Sequence, residues 1–249
     1  MTNSLHIRRA YRLEAEEARG IVIVIDVIRA FTVAAYAFAG GARHLWLVRT
    51  TDEAFALRQQ EPQALLAGEI GGRLIPGFDL NNSPSLMAST DVRGRTIIQR
   101  TGAGTQGAVG ALNAEYLLIC SLANARATAT YARKLAETTG GLVTLLPTEG
   151  YSQQKQFSGE DAICADYLEA LLQGQDNALA LLAANLASLD EAGRFDFMKL
   201  GEADFPFEDI ALIKGADRFD FVMVGQRKQA DDFEYVEVER RELEDYPHM

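Results

Sequence analysis

Histidine and cysteine are scarce in this chain, three and two among 249 residues. His6 and His248 stand near the ends and His44 opens a predicted strand, so none falls in a glycine-rich loop. A Ser-His-Asp triad, a phosphohistidine relay and a histidine zinc site are therefore poorly supported. Cys120 and Cys164 match no C-x-x-C spacing, which argues against a disulfide scaffold or structural zinc and for a reducing compartment. The opening stretch "MTNSLHIRRAYRLEAEEARG" has no apolar h-region, and no apolar run approaches the length of a membrane span. Nor is there a run of Lys or Arg. The net charge of -11 sets up a field that repels nucleic acid and anionic membranes. The expectation is a soluble cytoplasmic protein without nucleic-acid or membrane partners, for which a homodimer is allowed.

What is present is apolar patterning. Hydrophobic residues at 48% against 24% charged suffice for a packed core. "GIVIVIDVIRA" is a continuous apolar run ending at Asp26, the mark of a strand buried on both faces, and "AFTVAAYAFAG" follows as a helix closed by Gly40-Gly41. Further strands are predicted at "RHLWLV", "QALLAGE", "RTIIQRT", "AEYLLICSL", "LVTLLPT" and "RFDFVMVG". Helices are expected from the Thr50-x-x-Glu53 capping box, from Ser83-Pro84, from Asn124 through Leu135, from Ser158-x-x-Asp161 through about Leu172, and over Asn177 to Leu200. The tail "DDFEYVEVERRELEDYPHM" alternates enough for an edge strand but is highly charged, and it reads as a surface extension. This rhythm predicts an α/β fold, a three-layer α/β/α sandwich with a largely parallel or mixed sheet, as one domain over residues 1–249 that could hold two α/β subdomains.

"IIQRTGAGTQGAVGAL" carries Gly102, Gly104 and Gly107 in a G-x-G-x-x-G pattern between a strand and a helix. A dinucleotide site also needs an acid at the end of the next strand, roughly 20 residues on, to hold the ribose. That strand ends in Cys120-Ser121 with Arg126 nearby, which leaves only an NADP reading through Arg126, in a non-catalytic binding module. The other readings are a nest of backbone N–H groups for an anion, helped by the Thr101 and Thr105 hydroxyls, and a tight turn whose glycines serve dihedral freedom alone.

Ligands of open α/β sheets gather at the carboxyl ends of strands. Asp26 and Glu69 fall there, Asp79, Asn81, Asn82 and Ser83 follow on a Gly/Pro-rich loop, and Glu160 and Asp161 open a helix. Arg29, Arg73 and Arg100 lie beside them. Any one acid alone is as well explained by capping or solvation. Together they equip a site for oxygen-ligated Mg²⁺ and phosphoryl transfer. A haloacid-dehalogenase reading fails, because the second aspartate of D-x-D is replaced by Ile28.

With these segments in view, the chain resembles the 2-phosphosulfolactate phosphatase (ComB) family. The resemblance rests on "IDVIRAFT", "AGEIGGRLIPGFDLNNSP", "TGAGTQG", "LANARATA", "GEDAICADY" and "FPFEDIALIKGADRFDF", from about residue 20 to 225. It implies a Mg²⁺-dependent phosphomonoesterase of α/β architecture. The implied reaction converts (R)-2-phospho-3-sulfolactate to 3-sulfolactate and phosphate, a step towards coenzyme M. On this reading Asp26 is the catalytic carboxylate or the principal metal ligand, with Asp79, Glu160 and Asp161 as further metal ligands. Glu69 and Arg29 join Asp26 in catalysis. Arg73, Asn82, Ser83, Thr101, Gly102, Gly104 and Thr105 bind a small anionic phosphate ester. The family commonly shows T-T-N-G-T and R-A-T-T where this chain has Thr101-Gly102-Ala103-Gly104-Thr105 and Arg29-Ala30-Phe31-Thr32. Phe31 and Ala103 are thus the positions expected to alter specificity.

Overall fold

The computed structural model describes residues 5–148 and 159–244. Strand β1 (His6–Arg9) and a 3-10 turn at Arg12–Glu17 lead into β2 (Ile21–Ile25), α1 (Ala30–Ala39) and β3 (His44–Val48). Then come α2 (Thr51–Gln60), β4 (Leu65–Ile70), β5 (Arg73–Leu74), α3 (Pro84–Ser89), β6 (Thr96–Arg100), α4 (Gly104–Gly110) and β7 (Tyr116–Cys120). The chain continues through α5 (Ala125–Thr138), β8 (Leu142–Pro147), α6 (Gly159–Leu172), α7 (Ala178–Glu191) and α8 (Asp196–Lys199). It finishes with α9 (Asp209–Ile213), β9 (Phe221–Gln229) and β10 (Glu234–Glu242).

All ten strands join one mixed sheet in the order β1-β8-β2-β7-β9-β10-β3-β6-β4-β5. Strands β1, β8, β2 and β7 run parallel, β3, β6 and β4 run parallel, and the antiparallel pair β9–β10 joins the two groups. The two-residue period of the strands sorts their side chains. Val22, Val24, Leu117, Ile119, Met223, Val236, Val238, Leu45, Leu47 and Ile97 share one face, which packs on α1 and α4. On the other face Ile21, Ile23, Ile25, Leu118 and Val143 meet α5, α6 and α7, while Val48, Leu66 and Ile98 meet α2. The fold is therefore α/β, with helices on both faces of the sheet.

The tail read as a surface extension is instead an inner strand. In β10, Val236 and Val238 are fully buried, while Glu237 points the other way and receives Trp46 Nε1 at 3.1 Å and Lys228 Nζ at 2.9 Å. Its charges decorate one face of a strand whose alternate residues fill the core. The helix expected over Asn177 to Leu200 is broken between α7 and α8, where Gly193 takes φ +77°. Strand β1 and the 3-10 turn were not anticipated, since His6–Arg9 is a polar edge strand paired with β8 alone. The Ser158 cap and His248 lie outside the described residues. No described helix is long and apolar enough to cross a membrane.

This topology brings distant loops together. Strand β6 lies five steps from β2 and runs in the opposite sense. Sheet twist of about 20–25° per step turns it by roughly 100–125°, so its carboxyl end can swing back towards that of β2.

Candidate active site

Asp26 follows directly after β2 and is 4% exposed. Its Oδ1 accepts the Ala30 N–H at 2.9 Å, which seats the carboxylate at the positive end of α1. Its Oδ2 meets only the Thr148 hydroxyl, at 3.3 Å. That hydroxyl also lies 3.2 Å from Asp161 Oδ2, and its single proton serves one of the two at a time. Burial pushes the Asp26 carboxyl up to about 7, and the nearby charges of Glu160 and Glu69 add to the shift, against the pull of the Ala30 N–H.

Around Asp26 opens a cleft of about 580 Å³, lined by Ile28, Ala103, Thr148, Glu160, Asp161 and Arg194 among others. Its size suits a small organic ligand. Asp161 anchors the floor: Oδ1 accepts the Val27 N–H at 2.7 Å and Oδ2 the Thr148 N–H at 3.2 Å. Glu160, 2% exposed, takes Arg194 Nε and Nη2 at 2.6 and 2.8 Å in a two-toothed pair.

The glycine loop forms one wall. A Cβ on Gly104 would stand 2.6 Å from Asp26 Oδ2 and 2.7 Å from the Ala30 Cβ; one on Gly107 would stand 2.7 Å from the Thr148 methyl. These glycines let α4 press onto the site. The two threonines are spent on holding the loop: the Thr101 N–H donates to Thr105 Oγ1 at 2.9 Å and the Thr105 N–H to Thr101 Oγ1 at 3.1 Å. Glu69 stitches the loop to the next turn, accepting the Gly102 N–H at 2.6 Å and the Gly72 N–H at 2.7 Å.

Other expected residues lie outside this cleft lining. Arg29, 3% exposed, donates Nη1 to Asp209 Oδ2 at 3.0 Å and to the Asp204 carbonyl at 2.7 Å, and Nη2 to the Gly72 carbonyl at 3.3 Å. Its guanidinium stacks 4.7 Å over the Phe205 ring. Ser83 donates to Asp209 Oδ1 at 2.7 Å, and Asn82 accepts from Gln99 Nε2 at 3.3 Å. Arg73 is 70% exposed and reaches only loose ion pairs with Glu202 and Asp204. Asp79 is held away by the Leu66 N–H at 2.8 Å and Arg58 at 2.7 Å. Arg126 sits on α5, which packs on the opposite face of the sheet from α4, and pairs with Asp217 and Tyr167. It is not placed for a nucleotide on the glycine loop. Of the two departures from the family pattern, Phe31 is core and Ala103 lines the cleft.

Three participants escaped the sequence reading. Thr148 is merely the last residue of an apolar strand run, and Arg194 lay inside an apparently unbroken helix, where Gly193 was the one available signal. Asp209, fully buried between Arg29, Ser83 and Ser85, was quoted in the "FPFEDIAL" block without a role.

Comparison with known proteins agrees with the segments that carry the site. A family model described as 2-phosphosulpholactate phosphatase matches residues 7–228. A Bacillus subtilis protein named "Probable 2-phosphosulfolactate phosphatase" is 38% identical over 205 residues, 82% of this chain and 86% of that one. Proteins of the same name from Carboxydothermus hydrogenoformans and Thermus thermophilus are 40% and 35% identical. Their matches cover 62% and 75% of this chain and 61% and 82% of theirs.

Proposed function

The chain belongs to the 2-phosphosulfolactate phosphatase family, and on that premise we propose that it is a phosphoric monoester hydrolase dependent on Mg²⁺. Its substrate on this reading is (R)-2-phospho-3-sulfolactate, which with water gives 3-sulfolactate and inorganic phosphate. The observation that carries the proposal is Asp26, a buried carboxylate that lines a cleft beside two further buried acids.

The residues fit the ion. Among the described residues no three His, Cys, Asp or Glu side chains converge into a ready-made cage. Mg²⁺ does not require one, because it keeps several waters and completes its shell with one or two carboxylates and substrate phosphate. Asp26 Oδ2 meets only the shared Thr148 hydroxyl, the weakest engagement among the three cleft acids, whereas Glu160 and Asp161 take charged or backbone donors on both oxygens. A divalent cation there would also offset the burial penalty, and the smaller repulsion from Glu160 and Glu69, that raise the Asp26 carboxyl. When bound, Mg²⁺ would supply charge neutralisation to the transferring phosphoryl group.

The protein's own side chains divide the remaining work. Asp26 would hold the cation at the helix end. Asp161 and Thr148 fix the rotamer of Asp26 and the path of the chain around it. Glu69, with about two lone-pair sites on each oxygen and one backbone donor on each, keeps acceptor capacity to align the attacking water. Thr101, Thr105, Asn82 and Ser83 act as positioning residues that shape the loops, and Arg29 ties the Gly72 turn to Asp209.

Phosphate release from 2-phospho-3-sulfolactate, with Mg²⁺ or with EDTA, tests the proposal. Metal-dependent release should fall at least about 100-fold in Asp26→Asn, the scale of removing one preorganised electrostatic group. Full activity in EDTA, or an unimpaired mutant, would overturn it.

A further inference from the structure

Resting on the phosphatase reading, we propose that Arg194 binds the second anionic group of the substrate, the oxyanion carried beside the phosphate ester, and that Glu160 positions it. The acids around the cleft set the problem. Asp26, Glu160 and Asp161 all line it, yet the substrate class brings a phosphate together with a carboxylate or sulfonate. Arg194 is the only cationic side chain among the described residues of that lining. The arginines marked out by the sequence serve elsewhere, Arg29 buried against Asp209 and Arg73 on the surface near Asp204.

Arg194 is built for the task. Its side chain stays 44% exposed while its partner Glu160 is 2% exposed, so the pair presents the guanidinium to the cleft from a buried support. Two of its five N–H donors go to Glu160, which fixes the plane of the fork. The backbone is pinned as well. Gly193 at φ +77° makes the turn, and the Arg194 N–H donates to the Leu189 carbonyl at 3.0 Å. On the far side Phe195 is fully buried beneath Lys214 Nζ, 4.3 Å from its ring. Lys214 and Lys199 both grip Asp190, at the end of α7. A planar fork held in this way matches the two oxygens of a carboxylate or sulfonate.

The test compares three phosphate esters: p-nitrophenyl phosphate with no second anion, phosphoglycolate with a carboxylate, and 2-phosphooxyethanesulfonate with a sulfonate. Arg194→Gln should raise KM at least tenfold for one or both anionic esters, change kcat much less, and leave p-nitrophenyl phosphate nearly unaffected. Whichever anionic ester suffers more identifies the group that Arg194 holds. Arg194→Lys should recover part of the loss, and Glu160→Gln should give a smaller KM rise with the same dependence on the second anion. Because Arg194→Gln strands the buried Glu160, the pair Glu160→Gln/Arg194→Gln is run alongside and should show the same KM pattern. Equal losses on all three esters, or none, would overturn the assignment. If the wild-type protein hydrolyses none of them and releases no phosphate from 2-phospho-3-sulfolactate either, the phosphatase reading fails by itself. Titration calorimetry with 3-sulfolactate then decides, since weakened binding in Arg194→Gln supports the anion role and unchanged binding refutes it.

Discussion

A carboxyl group that prefers its proton when folded makes stability fall as pH rises. Asp26 is such a group. Its folded value of about 7 stands above the ordinary 3.8, so between those limits the native chain keeps a proton that the unfolded chain has released. The stabilisation is complete below the unfolded value and is lost as pH rises through about 7. Chelated wild-type protein should therefore lose more melting temperature between about pH 5.5 and pH 8 than chelated Asp26→Asn does. Mg²⁺ should restore the wild type at the higher pH and leave the mutant unmoved. Identical slopes for the two proteins would remove Asp26 as the source. At the same scale, Arg29 and Asp209 form a buried pair, and removing one partner strands a charge. Arg29→Met and Asp209→Leu should each cost about 3–5 kcal/mol in denaturant unfolding, with the double mutant costing clearly less than their sum.

At the level of elements, glycines were easy to see and their purpose was not. The G-x-G-x-x-G spacing fits both a nest and a nucleotide loop, because either needs a close backbone approach. What approaches Gly104 and Gly107 is the protein itself, through Asp26, Ala30 and Thr148, and no spacing rule reveals contacts between segments about 40 to 80 residues apart. Gly104→Ala should therefore destabilise by about 1–3 kcal/mol, as overpacking does, and lower phosphate release with it. Gly102→Ala, whose Cβ would meet only the Glu69 carboxylate at 3.3 Å, should cost less. Equal melting temperatures for the two variants would contradict that ranking. Local chemistry was more legible: Thr50 and Glu53 cap α2 reciprocally, and Ser83 accepts the Leu86 N–H ahead of Pro84, both as their spacing suggested. The break before Arg194 was hidden because alanine and leucine continue the helical pattern almost up to Gly193.

Across the whole molecule, apolar runs announced most of the strands, yet the order of the strands could not be read. Nothing in "FEYVEVERRE" says that it will sit between β9 and β3, because that pairing is decided by partners nearly 190 residues away. The same non-local logic explains why four acids from scattered loops could be suspected of forming a site while only some converge. Asp26, Glu160 and Asp161 share the cleft, but Asp79 is claimed by Leu66 and Arg58. Truncation after residue 231 should leave an insoluble or unfolded product, since it removes an inner strand whose Val236 and Val238 are fully buried. A truncated protein that kept a cooperative melt and a monodisperse profile would show that β10 is dispensable.

The place of β9 and β10 also has a consequence for biosynthesis. The nascent chain emerges with its earlier strands first, and each parallel group can begin to pair on its own while the ribosome is still translating. Until the final hairpin clears the exit tunnel, β7 and β3 both present open edges with nothing between them. Within this sheet, the strands made last are the ones that join the halves. A stall in translation between them would leave two half-sheets with sticky borders, the form of the chain most in need of a chaperone.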